Sequence, residues 1–208
     1  SLGLQEKGSR PANAIPYELG AACRVEDTLV QVSLRAGNQL FGAKAAGAPF
    51  MVYVYGKQWS CRSYAVVAGD ELSDTWPLSD FENENYHLRV DGPNGFYREF
   101  KGKGQSPVII QFDHEVDTKK RATGNLLVKI LNHGSQAVTC QIKDLGYGRA
   151  AITRKANPNK EEVISLNLQG SGHWYDSVVL IDEMPAYETR FAGHVETGKE
   201  SVSDPLLG

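Results

Sequence analysis

The carboxyl-terminal stretch of the chain brings together residue types that hydrolases use. Ser201, Ser203 and Asp204 follow His194 and Glu196 closely in the sequence. A serine, a histidine and a carboxylate form a nucleophilic triad only when the fold gives them a shared geometry. No GxSxG motif occurs in the sequence. A terminal strand followed by a tail is therefore the favoured interpretation.

Asp113, His114 and Glu115, together with Asp117, form the densest group of potential metal ligands. Hard oxygen ligands of this kind can hold calcium. The group lacks the glycine and the regular carboxylate spacing of a known calcium loop. A solvated loop is favoured, and no metal or cofactor is predicted.

The three cysteines are Cys23, Cys61 and Cys140. A Cys23–Cys61 bridge is one alternative for a secreted protein, but the odd third cysteine argues against a disulfide framework. The favoured prediction is three free, buried thiols.

The clearest structural element is a predicted β-hairpin over residues 86–102. Apolar Tyr86, Leu88 and Val90 alternate with polar residues, and residues 91–95 (DGPNG) supply turn-forming glycine, asparagine and proline. Residues 175–193 repeat this pattern about ninety residues later, from an aromatic start to a closing glycine. The chain is therefore predicted to contain two copies of one unit.

The rest of the sequence predicts short strands separated by turn signals, without a sustained helical period. The predicted fold class is all-β, with two tandem immunoglobulin-like or related β-sandwich domains. The predicted organisation is a linker or disordered arm at 1–14, a first sandwich at 15–104, and a second sandwich with a C-terminal tail at 105–208.

Composition excludes some classes of function. The 208-residue chain has a net charge of −3 and a pI of about 6.0, so nucleic-acid binding has no electrostatic support. No apolar run approaches the roughly 18–20 residues of a membrane-spanning helix. No signal peptide is recognised at the start of the sequence.

Four stretches carry a resemblance to a known family: residues 191–205 (FAGHVETGKESVSDP), 16–19 (PYEL), 69–76 (GDELSDTW) and 92–100 (GPNGFYREF). They resemble the C-terminal region of bacterial phosphocholine-preferring phospholipases C, and the resemblance covers nearly the whole chain from about Pro16. It implies a tandem β-rich region that follows a large hydrolase domain. The family's catalytic residues lie in that upstream domain, so no catalytic residue is assigned here.

The resemblance also implies a secreted or periplasmic parent enzyme that hydrolyses phosphatidylcholine or sphingomyelin. The leading hypothesis is a non-catalytic accessory region whose partner is the upstream hydrolase domain. The alternative is a module that binds phospholipid or choline headgroups and docks the enzyme on membranes. Aromatic faces bind quaternary ammonium groups, and the candidates for such contacts are Trp59, Trp76 and Trp174. Most aromatic residues are nevertheless expected in the core.

Overall fold

The computed structural model of the protein describes residues 8–206, which form β-strands joined by loops and short 3-10 turns. The first half of the predicted arm, residues 1–7, lies outside the described part. No helix in the described part is long and apolar enough to cross a membrane.

The first half of the chain contributes eight strands. They are β1 (Pro11–Ala12), β2 (Leu19–Glu26), β3 (Leu29–Ala36), β4 (Ala48–Tyr55), β5 (Trp59–Val66), β6 (Asp70–Pro77), β7 (Asn85–Asp91) and β8 (Tyr97–Lys103). Short 3-10 turns lie at Gly42–Lys44, Leu78–Asp80 and Glu82–Glu84.

The second half contributes eight more strands. They are β9 (Val108–Val116), β10 (Ala122–Asn132), β11 (Val138–Asp144), β12 (Ile152–Ala156), β13 (Lys160–Leu166), β14 (Trp174–Ile181), β15 (Glu188–His194) and β16 (Ser201–Val202). One 3-10 turn lies at Gln169–Ser171.

Each half folds as a seven-stranded sandwich with the same strand order. A three-stranded sheet, β2-β3-β6 in the first half and β9-β10-β13 in the second, packs against a four-stranded row, β5-β4-β7-β8 or β12-β11-β14-β15. This is an immunoglobulin-related arrangement. The predicted all-β fold with two tandem sandwiches is confirmed.

The two four-stranded rows join into one continuous eight-stranded sheet, because β8 pairs antiparallel with β15. These are the last strands of the two sandwiches. Each sandwich keeps its own apolar core, one formed around Phe50 and Leu88 and the other around Ile130 and Phe191. A shared sheet therefore connects two separate cores.

The alternation in the sequence explains which side chains enter these cores. On β7, Tyr86, Leu88 and Val90 are buried, while the residues between them are half-buried. Asn94 (φ 53°) and Gly95 (φ 72°) adopt the left-handed backbone of the predicted turn. The hairpin of residues 86–102 thus forms as its sequence pattern predicts.

A tyrosine–glycine pair recurs in the two hairpins. Tyr86 lies opposite Gly102, and Tyr175 lies opposite Gly193. In both pairs the tyrosine occupies the space that a glycine Cβ would need. The repeat inferred from sequence therefore corresponds to a repeated packing arrangement.

The three cysteines are free thiols in the structure. Cys140 is buried, whereas Cys23 and Cys61 are partly buried. The alternative Cys23–Cys61 disulfide is not formed.

Candidate functional site

The junction between the two sandwiches collects polar side chains from several segments. The β7–β8 turn reaches from the first sandwich to the second, where Gly95 packs against the ring of Trp174. The end of β15, the segment that precedes β2 and the segment that follows β15 meet at the same place. We call the group formed by Asn94, His194, Glu196 and Ser201 the junction cluster.

A serine–histidine–carboxylate relay forms the centre of the junction cluster. His194 Nδ1 lies 3.0 Å from Glu196 Oε1, and Ser201 Oγ lies 2.7 Å from His194 Nε2. The histidine and glutamate side chains are only 3% and 4% exposed. For these residues the sequence pattern was considered for a triad and favoured a strand and tail. In the structure His194 ends β15 and Ser201 begins β16, and His194 hydrogen-bonds with both Glu196 and Ser201.

Glu196 also binds two segments of the first half of the chain. The Asn94 side-chain amide donates to Glu196 Oε1 at 2.6 Å. The Ile15 backbone N–H donates to Glu196 Oε2 at 3.5 Å. A buried carboxylate needs such donors, because an unpaired one is strongly disfavoured. The glutamate therefore connects both sandwiches.

The two terminal segments run beside the cluster and pair with each other. β1 pairs antiparallel with β16, and the Ser203 N–H donates to the Arg10 carbonyl at 2.7 Å. The Arg10 N–H donates in turn to Ser203 Oγ at 2.9 Å. Trp174 Nε1 donates to the Val202 carbonyl at 2.9 Å, which fixes the tail to the second sandwich.

The surroundings of the relay favour a structural role over hydrolysis. The cavity beside His194 and Glu196 has a volume of about 20 Å³, which is room for about one water. His194 Nε2 also lies 3.1 Å from the Gly172 carbonyl oxygen, an acceptor rather than an oxyanion donor. A triad needs a substrate site between nucleophile and oxyanion donors. The relay instead holds the tail.

Arg98 lies buried behind this cavity, with 1% of its surface exposed. Its guanidinium donates to the Tyr97 and Ala192 carbonyls and to the Tyr175 hydroxyl. The rings of Phe96, Phe112 and Tyr175 surround it at 4.2, 5.1 and 5.5 Å from the ring centroids. The protein thus contains an aromatic cage for a cation, and its own arginine occupies it.

The solvated loop favoured for residues 113–117 is wrong, because Asp113, His114 and Glu115 lie half-buried on β9. Asp113 pairs with Lys129 at 2.8 Å and Arg35 at 3.0 Å, and despite the opposing effect of burial these cations hold its carboxyl pKa below the usual value. His114 instead lines the small cavity. Burial lowers the pKa of His114 to about 4, and the charges of Arg98 and Arg35 act in the same direction. Among residues 8–206 no group of three side chains is arranged to hold a metal ion.

Trp59 lies at the exposed tip of the β4–β5 hairpin and is 63% exposed. It is the register partner of Tyr55, which is 37% exposed, and its ring centroid lies 6.3 Å from that of Tyr53. The Arg89 guanidinium lies over the Tyr53 ring, 4.6 Å from the ring centroid. We call Tyr53, Tyr55 and Trp59 the hairpin aromatic patch.

The other two predicted tryptophans lie elsewhere. Trp76 is 3% exposed within the first core, with the Arg62 guanidinium 5.1 Å from its ring centroid. Trp174 is half-buried beneath the tail, and its ring centroid lies 4.8 Å from that of His194. Within the described part of the chain, no ring contact joins any two of Trp59, Trp76 and Trp174.

Comparison with known proteins finds matches over nearly the whole chain. Residues 11–103 and 110–194 each match the family described as bacterial phospholipase C, C-terminal domain. The chain belongs to this family. Each matched segment corresponds to one sandwich, so this chain contains two copies of the family domain in tandem.

Individual relatives agree with this assignment. The chain is 33% identical over 219 residues to the non-hemolytic phospholipase C of Pseudomonas aeruginosa. It is 34% identical over 212 residues to the non-hemolytic phospholipase C of Burkholderia pseudomallei, and 35% identical over 227 residues to the hemolytic phospholipase C of Pseudomonas aeruginosa. These alignments cover the whole chain but only 29–31% of each relative. The chain thus corresponds to about a third of their length.

Two residues of the site were not identified as functional from sequence. Asn94 was assigned only to a turn, and its contact with Glu196 joins residues far apart in the chain. Arg98 does have a sequence signal, because strand alternation places it on the same face as Phe96 and Phe100. The pattern thus indicates a buried arginine, although it does not indicate which groups pair with it.

Proposed function

We propose that this chain is the non-catalytic C-terminal accessory region of a phospholipase C, and that it supports an upstream hydrolase domain. The proposed organisation is an N-terminal arm at residues 1–14, a first sandwich at 15–104, and a second sandwich with its C-terminal tail at 105–208. The parent enzyme would hydrolyse phosphatidylcholine or sphingomyelin and would act outside the cytoplasm, in the periplasm or the surrounding medium. Membership of the C-terminal domain family supports this proposal.

The observation that carries the proposal is the pairing of β8 with β15. Two sandwiches joined only by a linker would be expected to move relative to each other. Here five register pairs, from Glu188 opposite Lys101 to Ala192 opposite Tyr97, join them within one sheet. Such a unit presents a fixed surface against which a hydrolase domain can be positioned.

The test is binding between this chain and the purified upstream region of the same phospholipase C. We expect a complex by size-exclusion chromatography and a rise in the melting temperature of the hydrolase region, because binding to a folded state stabilises it. A Trp59→Ala chain is the control, since it alters the hairpin patch and retains the sandwiches. Failure of both wild-type and control chains to bind or stabilise the hydrolase region would contradict the proposal.

A second candidate function is contact with phospholipid surfaces through the hairpin aromatic patch. Trp59 supports it, because a large aromatic side chain with 63% exposure is suited to the membrane–water interface. Tyr55 is exposed beside it, and Lys57 precedes it in the turn. Trp76 and Trp174 do not contribute to this surface, since both pack within the protein.

Sedimentation with phosphatidylcholine and sphingomyelin liposomes tests this second function. We expect Trp59→Ala to weaken the apparent affinity for the liposomes by about fivefold or more, since a cation–π or interfacial contact contributes about 1 kcal/mol or more to binding. Val163→Ala is the matched control, because Val163 is 53% exposed on β13 of the other sandwich. Absence of binding by the wild-type chain, or equal loss in both variants, would contradict a lipid-binding patch.

A further inference from the structure

We infer that the junction cluster is a latch that holds the N-terminal arm, residues 10–15, and the C-terminal tail, residues 201–204, closed together over the junction of the two sandwiches. The inference concerns contacts within this chain and is independent of the proposed function. It assigns to Ser201, His194 and Glu196 a conformational role in place of a catalytic one.

The arm and tail need an anchor because their own pairing is minimal. β1 and β16 are two residues each, with Pro11 opposite Val202 and Ala12 opposite Ser201. An isolated two-stranded pair of this length is not stable in water. The Ser201–His194 and Trp174–Val202 hydrogen bonds supply the anchor on the second sandwich.

Glu196 couples the anchor to the first sandwich. Its carboxylate accepts hydrogen bonds from the Asn94 side-chain amide and the Ile15 backbone N–H, which both belong to the first half of the chain. The same carboxylate contacts His194 at the end of β15. Removing the arm would leave one carboxylate oxygen without its backbone donor in a buried site, which costs free energy. Opening at one end therefore weakens the contacts at the other, as expected for a hydrogen-bonded network.

The latch has two states that differ in the terminal segments. In the closed state seen here, Arg10 and Ser203 exchange two hydrogen bonds and Ser201 contacts His194. In the open state the arm and tail separate from the junction together, while the two cores remain intact. Segments with few buried apolar contacts open locally in this way.

Residue-level amide hydrogen exchange on the whole chain tests the latch. We expect Ser201→Ala to speed exchange of the Ile15 and Ser203 amides by about threefold to tenfold, which corresponds to loss of one hydrogen bond. Glu196→Gln should speed exchange at both amides further, because it removes the charge that Asn94 and Ile15 contact. The Val128 amide, in the centre of the second core, should be unaffected in both variants.

Ser63→Ala is the matched control, since Ser63 is an exposed β5 serine whose hydroxyl contacts only a methionine sulfur among the hydrogen bonds described. It should leave exchange at Ile15 and Ser203 unchanged. Faster exchange at both segments with unchanged exchange at Val128 supports the latch. Faster exchange at neither segment, at only one of them, or equally throughout the chain would overturn it.

Discussion

Glu99 on β8 lies directly opposite Arg190 on β15, and the pairing of the two strands is symmetric about this pair. Phe100 lies opposite Thr189 on one side, and Arg98 lies opposite Phe191 on the other. The final strands of the two repeats thus meet at equivalent positions. This symmetry explains how two similar units form one eight-stranded sheet without leaving a free edge between them.

The tyrosine–glycine pairs give a direct test of the repeated packing. In Gly102→Ala the new Cβ would overlap the buried ring of Tyr86, so the ring or strand must shift. We expect a loss of about 1–3 kcal/mol in the free energy of unfolding, measured with urea.

Gly170→Ala is the control for this substitution, because a Cβ there meets nothing within 4 Å. Its free energy of unfolding should stay within about 0.5 kcal/mol of wild type. Equal stability of the two variants would show that Tyr86 does not require glycine at position 102.

Two substitutions of the buried Arg98 are expected to lower the free energy of unfolding by different amounts. Arg98→Ala leaves a cavity among Phe96, Phe112 and Tyr175 and removes the donor to the Ala192 carbonyl. We expect a loss of about 3 kcal/mol or more in the free energy of unfolding.

Arg98→Met fills much of the same space without burying a charge, so it should cost clearly less than Arg98→Ala. Urea unfolding monitored by tryptophan fluorescence provides both values. An alanine variant as stable as the methionine variant would contradict the importance of packing within the aromatic cage.

The lowered pKa of His114 predicts that the free energy of unfolding decreases on mild acidification. Its pKa is lowered to about 4 in the folded chain from the ordinary 6.5, so the unfolded state binds the proton more readily between these values. The contribution of His114 to the free energy of unfolding is therefore most favourable above pH 6.5 and falls as the pH decreases toward 4. The expected loss between pH 7 and pH 5 is at most about 2 kcal/mol.

The control for this pH dependence is His114→Gln, which has no titrating group at this position. The carboxylates of Asp113 and Glu115 have lowered pKa values, so their contributions are lost at lower pH. The variant should thus show a smaller change in the free energy of unfolding between pH 7 and pH 5. An unchanged difference would exclude His114 as its source.

Local sequence patterns predict the sandwiches well and the junction poorly. Alternation along Tyr86, Leu88 and Val90 fixes which face of β7 is buried, and the glycine-rich turn fixes the hairpin. The pairing of β8 with β15 cannot be predicted in this way, because the local sequence of each strand does not indicate which strand it pairs with.

The junction cluster has a similar limitation. His194, Glu196 and Ser201 are close in sequence, but their alignment depends on Asn94 and Ile15, which come from distant segments. Exposure is also a tertiary property. Trp59 and Trp76 are the same residue type on neighbouring strands of the chain, yet one is at a hairpin tip and the other is in the core.

The most direct test of the proposed accessory function compares the full-length phospholipase C with a form that lacks this region. Thermal unfolding and phosphatidylcholine hydrolysis should be measured on both proteins under the same conditions. We predict a lower melting temperature and reduced hydrolysis for the shortened enzyme, because the hydrolase domain would lose its rigid support. A shortened enzyme with unchanged melting temperature and unchanged hydrolysis would contradict the account.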